Sequence, residues 1–162
     1  MEHFIDLTGL FAGETDAISY GFVIDISGVN DDIKSGTATV KADASSHAGS
    51  VDLKLTITMD YKAECSRCLK ELSLTSVYEK VLPVCMELID SDNDEYLITE
   101  NGMIDIAAAA VDVIVLESPS KLLCSPDCKG LCVKCGADLN KGKCGCTAKD
   151  IDPRLLKLKE LL

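Results

Sequence analysis

Eight of the nine cysteines in this chain fall into four close pairs, Cys65/Cys68, Cys124/Cys128, Cys132/Cys135 and Cys144/Cys146, with Cys85 left over. Whatever these thiols bind dictates how the second half of the chain can fold. Two cysteines separated by two residues can wrap one ion from a single tight turn, and zinc takes four soft, deprotonated ligands in a tetrahedron. Gly136 directly follows Cys135, where a residue without Cβ lets the backbone turn back beneath a metal and aim its N–H groups at the sulfurs. Eight thiols suffice for two such ions.

The rival reading is a disulfide framework, which small secreted domains use in place of a sufficient core. Three features oppose it. The cysteine count is odd, and residues 1–10 lack the basic start and continuous apolar run of a secretory signal. A 162-residue chain of 47% hydrophobic composition can also bury an ordinary core. Residue type alone leaves iron or redox-active thiols open. No stretch reaches the ~20 apolar residues of a membrane span; the run 106–116 is short and broken by Asp112. A soluble, cytoplasmic protein with no membrane partner is expected.

Charge is unevenly placed within a formal total of −11. From Lys121 onward nine basic residues accompany five acidic ones, a formal +4, so residues 1–120 carry −15. A basic end on an acidic body suits contact with nucleic acid at one pole. Four-thiolate zinc sites, each formally −2, would offset that excess, and solvated lysines that keep a cysteine-rich tail soluble would give the same pattern.

The first two thirds read as antiparallel sheet. Between 51 and 61 every odd residue is apolar and every even one polar, the period of a half-buried strand. Tyr20, Phe22, Ile24 and Ile26 repeat the pattern, and Ala38, Val40 and Ala42 form a weaker strand after Gly36. A further strand over 72–87, bent near Pro83, would make Cys65 to Cys68 a hairpin tip. Residues 91–95 read as an exposed loop. After Gly102 a mostly buried helix is expected, capped by Asp105, rich in alanine, and ended by Ser118 because Pro119 disfavours helical geometry before it. Asp152-Pro153 signals a last short helix with Leu155, Leu158 and Leu162 on one face.

The chemistry of an enzyme is missing. His3 and His47 sit in segments read as terminus and loop, outside any motif, and no phosphate loop or dinucleotide fingerprint occurs. A closed four-thiolate zinc site suits scaffolding rather than water activation. The enzyme alternative is a thiol–disulfide redox protein using Cys65/Cys68, with Arg67 lowering a thiol pKa; such a pair usually opens a helix after a strand, whereas these flanks alternate as in a hairpin.

Taken in order, Cys65-Ser66-Arg67-Cys68-Leu69 after a strand, Ile104-Asp105 at a helix start, and Cys128-Lys129-Gly130-Leu131-Cys132-Val133-Lys134-Cys135-Gly136 resemble the YceD-like family of large ribosomal RNA subunit accumulation proteins. Leu139-Asn140, Cys144-Gly145-Cys146 and Asp152-Pro153-Arg154 complete the likeness. The resemblance implies a bacterial, non-enzymatic factor needed for large-subunit ribosomal RNA to accumulate, with ribosomal RNA or large-subunit assembly proteins as partners and no small-molecule substrate. It marks Cys65 and Cys68 as one half-site and the six tail cysteines as candidate ligands.

For pairing, Cys132, Cys135, Cys144 and Cys146 can close a compact zinc loop with Gly142 helping the return, and Cys65 and Cys68 would then meet Cys124 and Cys128. Cys128 could instead replace Cys144 or Cys146, which are separated by one residue, and one or two ions could bind. Cys85 reads as a buried small hydrophobe. The expected whole is an α+β protein: an antiparallel sheet domain with one buried helix over 1–118, and a cysteine-rich zinc-binding module over 119–162 with a short C-terminal helix packed on it. Arg67, Lys129, Lys134, Lys141 and Lys143 would contact RNA phosphates or an acidic protein face. A general zinc-stabilised protein-interaction module is the remaining alternative.

Overall fold

Period-two alternation builds long strands in this protein, and a computed structural model describes them over residues 3–47, 50–86 and 96–146. In chain order the elements are β1 (Phe4–Asp6), α1 (Thr8–Phe11), β2 (Ala17–Asp25), β3 (Ile33–His47), β4 (Ser50–Glu64), β5 (Glu71–Cys85), β6 (Leu97–Ile98), β7 (Met103–Asp105) and α2 (Ile106–Glu117). Strands β2 to β6 form one five-stranded sheet in sequence order, and β1 pairs with β7 in a second, two-stranded sheet. The architecture is α+β. All pairings are antiparallel except β5–β6, which is parallel and only two residues long.

Strand β4 is the centre of the molecule. Val51, Leu53, Leu55, Ile57, Met59, Tyr61 and Ala63 all point to one buried face. The matching face of β3 carries small residues, Ala38, Val40, Ala42 and Ala44, which leave room for the elements packed above. Truncating Leu55 or Ile57, both fully buried, to alanine would cost about 2–5 kcal/mol. Strand β3 is far longer than the three alternating residues that betray it, because its small side chains and Gly36 weaken the pattern. An added Cβ at Gly36 would lie 2.6 Å from the Tyr61 Cβ, so only glycine lets β3 approach β4 there.

The Asp105 side chain accepts from the N–H groups of Ala107 and Ala108 at 2.9 and 3.3 Å and so caps α2. The helix stops at Ser118, which is extended (φ −64°, ψ 134°) ahead of Pro119. Ile106, Ala109, Ala110, Val113 and Ile114 join the sheet's core. The expectation of a mostly buried helix needs correction, however: Val115 is half-exposed and Leu116 is 80% exposed. An almost wholly apolar sequence carries no stripe to show which face turns inward. Lys80 of β5 and Glu117, 3.0 Å apart, tie the helix end to the sheet.

Other departures are small. His3 stacks on Phe22 with ring centroids 4.1 Å apart, and His47 ends β3 instead of lying in a loop. Cys85 is half-buried, not buried; among the described residues the two-residue strand β6 pairs with β5 there. The loop expected over 91–95 and the helix expected from Asp152 lie outside the described residues. Among the described residues no helix is long and apolar enough to cross a membrane.

Candidate metal centres

The β4–β5 connection places Cys65 and Cys68 at the end of the sheet in a tight knuckle. The Leu69 N–H donates to the Cys65 carbonyl at 2.9 Å, and the Cys65 N–H donates to the Lys70 carbonyl at 2.9 Å. The same device recurs at Cys132 and Cys135: the Gly136 N–H donates to the Cys132 carbonyl at 2.8 Å, and the Cys132 N–H to the Ala137 carbonyl at 2.8 Å. Each knuckle turns its two sulfurs to one side.

Beyond α2 the chain runs back along the first knuckle. Leu122 enters the core, and its N–H donates to Ser66 Oγ while its carbonyl accepts from the Ser66 N–H. The Leu131 N–H donates to the Arg67 carbonyl at 3.1 Å, and Arg67 Nη1 donates to the Cys128 carbonyl at 2.7 Å. Gly130 makes this approach possible: its φ is +72°, and an added Cβ would lie 2.8 Å from the Arg67 carbonyl oxygen.

These contacts gather the thiols into two groups, Cys65, Cys68, Cys124 and Cys128, and Cys132, Cys135, Cys144 and Cys146. Within each, the four Sγ atoms lie within 4.8 Å of one another, and either group could hold a metal ion. They are the same two sets that the spacing suggested, and Cys128 stays with the first. Cys65 and Cys128 Sγ are 3.8 Å apart, Cys68 and Cys124 Sγ 3.6 Å. A tetrahedron of thiolates about 2.3 Å from a zinc ion has edges of about 3.8 Å, so the donor set fits such an ion in number, type and spacing. All nine cysteines are free.

Hydrogen bonds around the sulfurs sort the thiols. Burial resists ionisation of Cys65, but the backbone N–H groups of Arg67, Cys124 and Cys68 outweigh it and hold this thiol down at about 6. Cys132 is held down to about 6 by the N–H groups of Cys135 and Lys134. Cys128 is lowered chiefly by Asn140, whose Nδ2 lies 3.4 Å from its Sγ. In contrast, Cys124 is pushed up to about 12 by the neighbouring thiols of Cys128 and Cys68, and Cys146 up to about 12 by that of Cys135. Several like groups packed together cannot all ionise unless a cation joins them.

Asn140 and Ser66 are supporting residues that spacing did not single out. Asn140 Oδ1 accepts from the Lys129 N–H while its Nδ2 reaches Cys128 Sγ, so one side chain joins both tail segments. The Asp138 side chain accepts from the Asn140 N–H in a short turn, and Leu139-Asn140 was one of the marks of the family likeness. Of the basic residues, Lys129, Lys134, Lys141 and Lys143 are exposed on the tail, Lys141 lying 3.8 Å from Asp138, whereas Arg67 spends one donor on the Cys128 carbonyl.

The chain matches the family described as large ribosomal RNA subunit accumulation protein YceD over residues 53–162. An uncharacterized protein of Mycobacterium tuberculosis is 32% identical over 113 residues, covering 66% of this chain and 53% of the relative. An uncharacterized protein of Mycobacterium leprae is 28% identical over 113 residues, 66% of this chain and 51% of that one. An Arabidopsis thaliana protein named large ribosomal RNA subunit accumulation protein YCED homolog 1, chloroplastic, is 39% identical over 64 residues, 40% of this chain and 20% of its own length. The chain thus spans about half the length of the mycobacterial relatives and a fifth of the plant one. No solved structure matches it. With most of its length, both knuckles included, inside the family match, this chain belongs to the YceD family of large ribosomal RNA subunit accumulation proteins.

Proposed function

We propose that this protein is a non-enzymatic, zinc-binding assembly factor, and that two ions fold residues 121–146 against the end of the sheet to make its recognition surface. The family's name points to accumulation of large-subunit ribosomal RNA. The observation that carries the metal reading is the spacing of the first thiol group, 3.6 and 3.8 Å between sulfurs that are 56 and 63 residues apart in sequence. Cys65, Cys68, Cys124 and Cys128 would hold one ion and Cys132, Cys135, Cys144 and Cys146 the other. A four-thiolate ion supplies a closed structural cross-link. Elemental analysis tests this directly: two zinc ions per chain support it, and colourless, metal-free, fully folded protein refutes it.

Ribosomal RNA is the partner class that the exposed Lys129, Lys134, Lys141 and Lys143 and the remaining donors of Arg67 favour, in the cytoplasm where ribosomes are built. Phosphate contacts release counterions, so affinity should fall steeply with salt. Replacing these five residues together is expected to weaken association with ribosome precursors, most strongly at low salt. Crosslinking in cells, followed by identification of RNA and protein, separates the two partner types. A partner that survives nuclease treatment assigns the surface to a ribosomal or processing protein instead.

A further inference from the structure

Among the described residues, strand β2 is a nine-residue edge of the five-stranded sheet that lacks several of the devices that protect an edge from pairing. It runs in unbroken register with β3, with no bulge, no proline and no lysine. Two hydrogen bonds just past its ends fix its orientation: the Ser46 N–H donates to the Asp16 carbonyl at 3.0 Å, and the Ile26 N–H to the Gly36 carbonyl at 3.1 Å. Because hydrogen-bonded pairs alternate along an antiparallel ladder, the even residues of β2 face β3. Ala17, Ser19, Gly21, Val23 and Asp25 therefore aim their N–H and C=O groups at the side on which no strand of the described residues pairs.

The side chains are equally unfinished. None of the nine is buried; on the core side Ile18, Phe22 and Ile24 are only partly covered and Tyr20 is 41% exposed. A shallow cavity of about 530 Å³ lies over β2 and its neighbour, lined by Ser19 to Val23 of β2 and by Thr39, Val40 and Lys41 of β3. Charge then selects the occupant. Residues 3–33 contain no lysine or arginine, while Glu14 and Asp16 precede the strand and Asp25, Asp31 and Asp32 close or follow it. Lys41, on the neighbouring strand, is already paired with Asp43 at 2.7 Å. A second copy of this edge would set acid against acid.

We propose that β2 captures an extended lysine- or arginine-rich segment of another protein as an added strand, its backbone bonding to the odd residues and its cations meeting the acids at both ends. This surface shares no residue with the thiol groups, so it stands or falls separately from the metal reading.

The test uses the full-length protein and a synthetic peptide alternating lysine and valine, with amide hydrogen exchange as the readout. Binding should slow exchange at Ser19, Gly21 and Val23 and leave the already bonded Tyr20 and Phe22 little changed. Val23→Pro removes one outward donor without touching the β3 ladder, and should weaken binding about tenfold. Val23→Lys keeps the backbone intact and should weaken it comparably by repelling the peptide. Binding that spares the odd amides, or that ignores both substitutions, or no binding at all, overturns the proposal. So does protection of the same amides that rises with protein concentration alone, which would give the edge to a second copy.

Discussion

The two thiol groups share a knuckle but join different things. In the first, Cys65 and Cys128 are buried and the participating segments lie some sixty residues apart, one in the sheet and one in the tail. In the second, all four thiols come from residues 132–146, and Cys135 and Cys146 are exposed. One group clamps the tail to the body, and the other closes a loop within the tail. An identical local turn can thus carry either a long-range or a local constraint, depending on where its partner cysteines come from. Cross-linking a long chain segment removes more unfolded-state freedom than closing a short one.

The largest expected effect breaks this asymmetry. Cys128→Ser should halve the bound metal and release the tail, exposing the Ser66 and Leu131 amides that now bond across the clamp. Cys135→Ser should also remove one ion, yet leave those amides protected. Structural zinc sites are worth about 10–16 kcal/mol in small isolated domains, so the first substitution should markedly lower the unfolding temperature and the second should lower it less. Equal losses of protection in the two variants would mean that the tail folds as one unit around both groups.

Next in size is chemical reactivity after the metal is stripped. Cys65 and Cys132 are both held down at about 6, but Cys65 is fully buried and Cys132 only half-buried. At neutral pH iodoacetamide should therefore modify Cys132 well before Cys65. A thiol lowered from 9.0 to about 6 favours the folded form above 9, and loses that contribution as pH falls through 6. The metal-free protein should accordingly melt at lower temperature at pH 5 than at pH 7. Simultaneous alkylation of both cysteines would show that the stripped clamp opens completely.

The glycines sharpen the comparison further. Gly130 and Gly136 both have φ near +70°, but a methyl group at Gly130 meets the Arg67 carbonyl while one at Gly136 meets nothing within 4 Å. Gly136→Ala should cost about 1–2 kcal/mol from backbone strain alone. Gly130→Ala should cost about 2–4 kcal/mol, because the clamp must also part. Chemical denaturation of the metal-loaded variants measures both, and equal costs would deny that the tail packs tightly on the first knuckle.

The sequence disclosed these features unevenly. Strand β4 was legible because one face is buried and the other wet, which forces alternation. The α2 boundaries were legible because Asp105 and Pro119 act locally. The cysteine pairs were legible because ligand spacing within a pair is a local geometric demand, whereas the place of Cys128 stayed open because it depends on a segment some sixty residues away. What remained hidden depends on distant partners: β1 and β7 are three residues each and exist only by pairing with one another. The parallel β6, the inward face of α2 and the part played by Asn140 are likewise decided by elements far away in the chain.

Leu69 and Gly136 occupy the same position after the second cysteine of their knuckles, and both adopt the left-handed conformation, at φ 59° and 71°. Leu69 meets this demand with a side chain that is 60% exposed, so it gains little burial in return for the strain. Leu69→Gly should therefore raise stability by a few tenths to about 1 kcal/mol, the relieved strain being partly offset by the greater freedom of glycine in the unfolded chain. Denaturation midpoints of the two proteins, both loaded with metal, measure it. A loss of stability would mean that the Leu69 side chain supports the clamp, and the two knuckles would then differ in their own packing as well as in the segments they join.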